Sequence, residues 1–123
     1  MANIFLDTNV FFDIVYRKKT RLADMVIDHR LFISPLSCHI YFYTFKVSVP
    51  NSLFTEQIDR FNLIPLDAEI LEKALEGPTA DLEDNIQLHS AISAECDIFL
   101  THDKTLVKMA FFGKTRITTS LTA

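Results

Sequence analysis

Three aspartates, Asp7, Asp84 and Asp103, are the residues whose type and placement best suit shared chemistry. Carboxylate oxygens are hard ligands. A Mg²⁺ or Mn²⁺ ion takes one or two of them, keeps several waters and completes its shell with substrate phosphate. Without a cation, clustered carboxylates repel one another, and protons or metal must relieve them. Metal held by such a cluster can turn a bound water into a nucleophile and polarise a phosphodiester. This chemistry requires the three acids to meet, although they are far apart in the chain.

The flanking sequence predicts that they do. Ile4-Phe5-Leu6 is a short, continuous apolar run that reads as a buried strand, and Asp7-Thr8-Asn9 after it has helix-capping character. Ile98-Phe99-Leu100-Thr101 is a second such run, followed by His102-Asp103. Each strand thus delivers an Asp at or just beyond its carboxyl end. Asp84 lies in the first turn of the helix that feeds the second strand, and that helix starts on the edge where strands finish. In open parallel sheets, ligands sit at this edge, where strand order reverses.

The rest of the chain supplies the layers. Val10, Phe11, Ile14 and Val15 recur at helical spacing and give way to the basic stretch Arg17, Lys18, Lys19. Thr20 is predicted to cap a second helix with Leu22, Met25 and Val26 inside. Leu31-Phe32-Ile33 reads as a strand, and Ser37 as the start of an aromatic-rich helix from His39 to Val47, buried on most sides. Leu53, Phe54, Ile58 and Phe61 mark another helix, and Pro65 makes Leu63-Ile64-Pro65-Leu66 an edge strand. Asp67 caps a helix with Ile70, Leu71, Ala74 and Leu75 facing inward, stopped by Gly77-Pro78. Asp81 to Asp84 opens the next, with Leu88, Ala91 and Ile92 inside. The last helix carries Leu106, Val107 and Ala110, Gly113 breaks the pattern, and Arg116-Ile117-Thr118 forms a final strand before a fraying Thr/Ser-rich tail. Strands alternating with helices predict a three-layer α/β/α fold around a central, mostly parallel sheet.

With 123 residues, 49% of them hydrophobic and 23% charged, the chain is expected to form a single domain over residues 1–123. Its formal net charge of −4 argues against a simple DNA-binding module, but an acidic site filled with divalent metal inverts the local charge. Cys38 and Cys96 have neither disulfide nor zinc spacing and are expected to be buried thiols. The N-terminal residues lack signal-peptide character and no apolar run reaches membrane length, so a cytoplasmic protein without membrane contact is expected. Only two glycines occur, and neither fits a phosphate-binding loop or a serine nucleophile elbow.

Phe-Leu-Asp-Thr-Asn after the first strand, Asp-Leu-Glu-Asp-Asn-Ile-Gln opening a late helix, and Leu-Thr-His-Asp after a late strand together resemble the PIN-domain nucleases. The match runs from end to end. The resemblance implies a PIN-like fold and a Mg²⁺- or Mn²⁺-dependent endoribonuclease, similar to the toxins of bacterial toxin-antitoxin pairs, with RNA as substrate and an antitoxin as partner. By the same resemblance Asp7, Asp84 and Asp103 are the catalytic metal ligands, Asn9 and Thr101 orient them, and Asp81 is an acid just outside the ligands. One departure stands out: no Asp or Glu occurs from Ser34 to Pro50, where these nucleases usually carry a Glu. His39 is the candidate substitute as ligand or hydrogen-bond donor. The alternative function is a degenerate PIN domain that binds RNA or a protein without cutting.

Plainer readings stand beside these. Asp7, Thr8, Asn9 and Asp103 suit helix caps, and Asp81, Glu83 and Asp84 complement a helix dipole, worth about 0.3–1 kcal/mol each. His39 is weighed more heavily as a packed core residue, and His29, His89 and His102 have no partner at ligand spacing. Arg17, Lys18, Lys19 and Arg21 suit either an RNA clamp or a solvated helix end. Phe111-Phe112 exceeds what one small core hides and points to a homodimer or a bound peptide. A haloacid-dehalogenase-type phosphohydrolase needs a second Asp two residues after the first, where this chain has Asn9.

Overall fold

The structure, a computed structural model, describes residues 1–121. Of the tail expected to fray, Thr119 to Leu121 are described and held: Thr118 Oγ1 donates to Ser120 O at 2.9 Å and Leu121 packs against the core, while Thr122 and Ala123, with the end of the expected domain, lie outside the described residues. Among the described residues the strands are β1 (Asn3–Leu6), β2 (Arg30–Ile33), β3 (Asn62–Leu63), β4 (Ile98–Leu100), β5 (Phe111–Phe112) and β6 (Thr115–Thr118). The helices are α1 (Thr8–Val15), α2 (Thr20–Val26), α3 (Pro35–Thr44), α4 (Ser52–Ile58), α5 (Ala68–Glu76), α6 (Leu82–Ser93) and α7 (Lys104–Lys108).

One sheet orders its strands β3-β2-β1-β4-β6-β5. Every pair is parallel except the β5–β6 hairpin. The chain moves outward from β1 through β2 to β3, then crosses back to β4, so the order reverses between β1 and β4. β3 lies at the sheet edge as expected, but it spans Asn62–Leu63 rather than Leu63 to Leu66, so Pro65 falls after the strand.

Alternation along the strands divides the core into two layers. Ile4, Leu6 and Leu100 pack with Val10, Phe11, Ile14 and Tyr41 on one face. Phe5 and Phe99 face the opposite way, against Ile70, Ala74, Leu88, Ala91 and Leu106. Phe5 and Phe99 are register partners with ring centroids 5.3 Å apart, a stacking worth about 0.5–1.5 kcal/mol beyond burial. The two core faces make the fold a three-layer α/β/α, as predicted.

Several expected details differ. α3 starts earlier than Ser37: Ser34 is the N-cap, accepting from Leu36 N at 3.1 Å, and Pro35 occupies the first turn, where its missing N–H costs nothing. The helix ends at Thr44, and only Ser37 and Tyr41 within it are buried, while Tyr43 is 82% exposed. Thr20 is the first residue of α2 rather than its cap; Lys19 occupies the cap with no side-chain bond. On α5, Ile70 and Ala74 face the core, whereas Leu71 and Leu75 are exposed. α7 stops at Lys108, and Ala110, at φ 64, lies in the turn leading to the unforeseen strand β5. Cys96 is buried but Cys38 only half-buried. No described helix is long and apolar enough to cross a membrane.

Candidate metal centre

Asp7 follows β1 and caps α1, and its backbone N–H still donates to Leu100 O at 3.0 Å, tying it to β4. Its side chain is buried. Oδ1 accepts from Thr8 N at 2.9 Å, and Oδ2 accepts from Thr101 Oγ1 at 2.7 Å. Thr101, also buried, is fixed by its own N–H donating to Thr118 O. The same Thr101 hydroxyl accepts from Asp103 N at 3.0 Å. One hydroxyl therefore links two of the three acids.

Asp103 caps α7, accepting from Thr105 N at 2.8 Å and Leu106 N at 3.3 Å. Asp81 caps α6 and accepts from Asp84 N at 2.9 Å, which holds Asp84 in the first turn of that helix. β1, β4 and α6 deliver these acids to one cavity of about 260 Å³, lined by Asp7, Thr8, Asn9, Glu83, Asp84, His102 and Asp103. It lies at the strand-order reversal between β1 and β4, where ligand sites of open parallel sheets form.

The carboxyl groups feel one another. Burial pushes Asp84 up, and Asp81, Asp7, Asp103 and Glu83 push it further, to about 7. Asp7 is raised by burial, opposed by the bonds from Thr101 and Thr8, with Asp103 raising and His102 lowering it. Burial and Asp7 raise Glu83, against a bond from Thr8, with Asp81 raising it too. A divalent cation relieves all of these groups at once.

The donors are all hard oxygens, suited to Mg²⁺ or Mn²⁺. Among the described residues, no three His, Cys, Asp or Glu side chains already close around one ligation point. The fit does not require that, because Mg²⁺ binds through one or two carboxylates and keeps several waters.

Of the residues anticipated from sequence, Asp7, Asn9, Asp84 and Asp103 line the cavity, and Thr101 lies behind it. Asp81 sits one hydrogen bond away, through the Asp84 backbone. His39 is exposed and not among the lining residues, so it is neither the packed core residue nor part of this cavity. α3 instead turns Ser37 inward: its Oγ lies 3.1 Å from Thr8 Oγ1 and accepts from Gln87 Nε2 at 2.8 Å.

Sequence reasoning missed three lining residues as part of the site: Thr8, expected only as a helix cap, Glu83 and His102. His102 Nε2 lies 2.7 Å from Oδ2 of the buried Asp13, which also binds Arg17 at 3.0 Å and Lys19 at 3.5 Å. The only sequence signal was the position of His102 directly before Asp103.

A carboxylate-lined cleft at the reversal point of a parallel sheet defines an open-sheet α/β protein whose site suits cations. Residues 3–105 match the family model of the PIN domain, and the chain belongs to that family. No curated protein sequence matches it. Its fold is similar to that in a toxin-antitoxin complex from Klebsiella pneumoniae, with a TM-score of 0.72 and 16% identity over 91% of this chain and 94% of that one. It is also similar to that in VapBC2 from Rickettsia felis bound to a DNA fragment from its promoter, with a TM-score of 0.69 and 13% identity, covering 94% and 97% of the two chains. FitAcB from Neisseria gonorrhoeae gives a TM-score of 0.55 and 16% identity over 81% of this chain and 87% of that one.

Proposed function

We propose that this PIN domain is a Mg²⁺- or Mn²⁺-dependent endoribonuclease and the toxin of a toxin-antitoxin pair. The observation that carries the reading is the meeting of Asp7, Asp84 and Asp103 around one cavity at the sheet's reversal point. In this reading those three are the metal ligands and catalytic residues. A cation bound there supplies an acidified water as nucleophile and polarises the scissile phosphodiester.

The chain's own residues do the positioning. Thr101 donates to Asp7 and accepts from the Asp103 N–H, which fixes the spacing of these two acids. Asp81 holds the start of α6 and, by its charge, keeps Asp84 avid for a cation. Asn9, exposed at the cavity wall, would help orient the acids around the cation. The likeness to a toxin-antitoxin complex supports an antitoxin as partner. A second copy covering Phe111, which is 56% exposed, belongs to the same reading.

A second reading, a degenerate PIN domain that binds RNA or a protein without cutting, is favoured by one observation: α3 brings no carboxylate to the site. Incubating the full chain with RNA in Mg²⁺, Mn²⁺ or chelator decides between them. Cleavage that needs metal and disappears in Asp7→Asn and Asp84→Asn supports the nuclease. Binding without turnover supports the second reading, and variants as active as the parent overturn the first.

A further inference from the structure

Beside the acidic cavity lies a second one, of about 230 Å³, lined by Asp13, Lys19, Arg21, Leu22, Met25 and His102. His102 lines both cavities, so they adjoin across a single side chain. Resting on the nuclease reading, we infer that this second cleft holds the nucleotide flanking the scissile phosphate of a single-stranded RNA, with its base on Leu22 and Met25 and its phosphate toward Lys19 and Arg21.

Charge and shape both select this occupant. The chain is acidic overall, at −4, yet here Arg17 and Lys19 pair with one buried carboxylate, Asp13, and Arg21 lines the same cleft as Lys19. Asp13 holds Arg17 and Lys19 by ion pairs and His102 by a 2.7 Å contact, so the Lys19 side of the rim is held in place. Arg21 is exposed and has no protein partner among the described contacts, which leaves its charge for a ligand. Leu22 and Met25 are only half-buried, and they provide an apolar floor.

A cationic rim over an apolar floor is the arrangement that binds single strands, where phosphates meet positive charge and unpaired bases lie on apolar or aromatic faces. A duplex keeps its bases stacked and cannot offer one to this floor. The adjoining acidic cavity explains why a phosphodiester should lie next to the cleft, and an acidic peptide has no comparable reason to end there.

The test uses the full chain with Mn²⁺ and 5′-fluorescein-labelled single-stranded RNA whose cut position has been mapped, in single-turnover kinetics and in anisotropy binding. The double variant Lys19→Ala, Arg21→Ala is expected to raise the half-saturating concentration by about tenfold while the maximal rate stays within about twofold. Lys114→Ala, an exposed lysine at the β5–β6 turn, should change it by less than about twofold. Replacing the nucleotide beside the cut by an abasic one should weaken the parent by about tenfold and leave Leu22→Ser, Met25→Ser almost unaffected.

If the double variant matches Lys114→Ala, or the abasic penalty persists in Leu22→Ser, Met25→Ser, the inference is overturned. A parent that cuts no RNA overturns the nuclease reading. In that case no cut position exists to place an abasic nucleotide, and anisotropy binding of the Lys19→Ala, Arg21→Ala variant against Lys114→Ala decides the cleft, with the same direction expected.

Discussion

Thr101→Val removes one hydroxyl and little else, because the two side chains have the same shape and the backbone is held by Thr118 O. Two bonds depend on that hydroxyl. The bond to Asp7 Oδ2, at 2.7 Å between buried groups, is charge-assisted, and its loss costs about 1.5–3 kcal/mol. The Asp103 N–H loses its acceptor as well, but Asp103 is exposed and water can replace it, so this adds less than about 1 kcal/mol. The expected destabilisation is about 2–3 kcal/mol, which lowers the urea midpoint by about 1–2 M for a typical slope. Thr105→Val, at an exposed position on α7, should stay within about 0.5 kcal/mol of the parent. Losing a donor also pushes the Asp7 carboxyl further up. Mn²⁺ affinity, read by electron paramagnetic resonance, should therefore fall, and the gap to the parent should narrow as pH rises. A variant as stable as the parent, or an affinity gap that ignores pH, would refute the role given to Thr101.

Other outcomes follow from the same contacts. In chelator, Asp84 holds a proton in the folded protein that the unfolded chain releases between 3.8 and about 7, so stability falls as pH rises through that window. Because Asp84 is partly exposed and screened, the loss should be about 1–2 kcal/mol by urea denaturation; Asp84→Asn should flatten it, and Mn²⁺ should reverse it. Asp13 is buried, which raises its carboxyl, but the bonds from His102 and Arg17 and the charge of Lys19 outweigh this and lower it. Its stabilisation is full above the unfolded value and is lost as pH falls through the lowered one. Asp13→Asn should cost about 1–3 kcal/mol at pH 7, and progressively less as pH falls below the ordinary carboxyl value of 3.8, in the same denaturation assay.

The site was legible in the chain because it is carried by short, unbroken apolar runs. Ile4-Phe5-Leu6 and Ile98-Phe99-Leu100 have no polar member to confuse their assignment, and each fixes the next acid at the sheet's carboxyl edge. Asp84 followed from the helix that must precede β4. The start of α3 was misplaced because Ser34 and Ser37 both suit a cap, and Pro35 reads as a break when it is in fact a first-turn residue. The inward assignment of Leu71 and Leu75 failed because periodicity marks a stripe without saying how wide a face the neighbouring helix covers. β5 is only two residues long and exists through its pairing across the turn at Gly113, φ 60, a contact no local pattern announces. The bond between His102 and Asp13 joins residues 89 positions apart, so nothing local pointed to the basic rim beside the acids.

The most direct measurement is anomalous diffraction from crystals of the full chain soaked in Mn²⁺. A Mn²⁺ peak is expected within about 2–2.5 Å of carboxylate oxygens from at least one or two of Asp7, Asp84 and Asp103, with waters completing its shell and the peak absent in Asp84→Asn. Well-ordered crystals at neutral pH and saturating Mn²⁺ with no peak between β1, β4 and the start of α6 would contradict it.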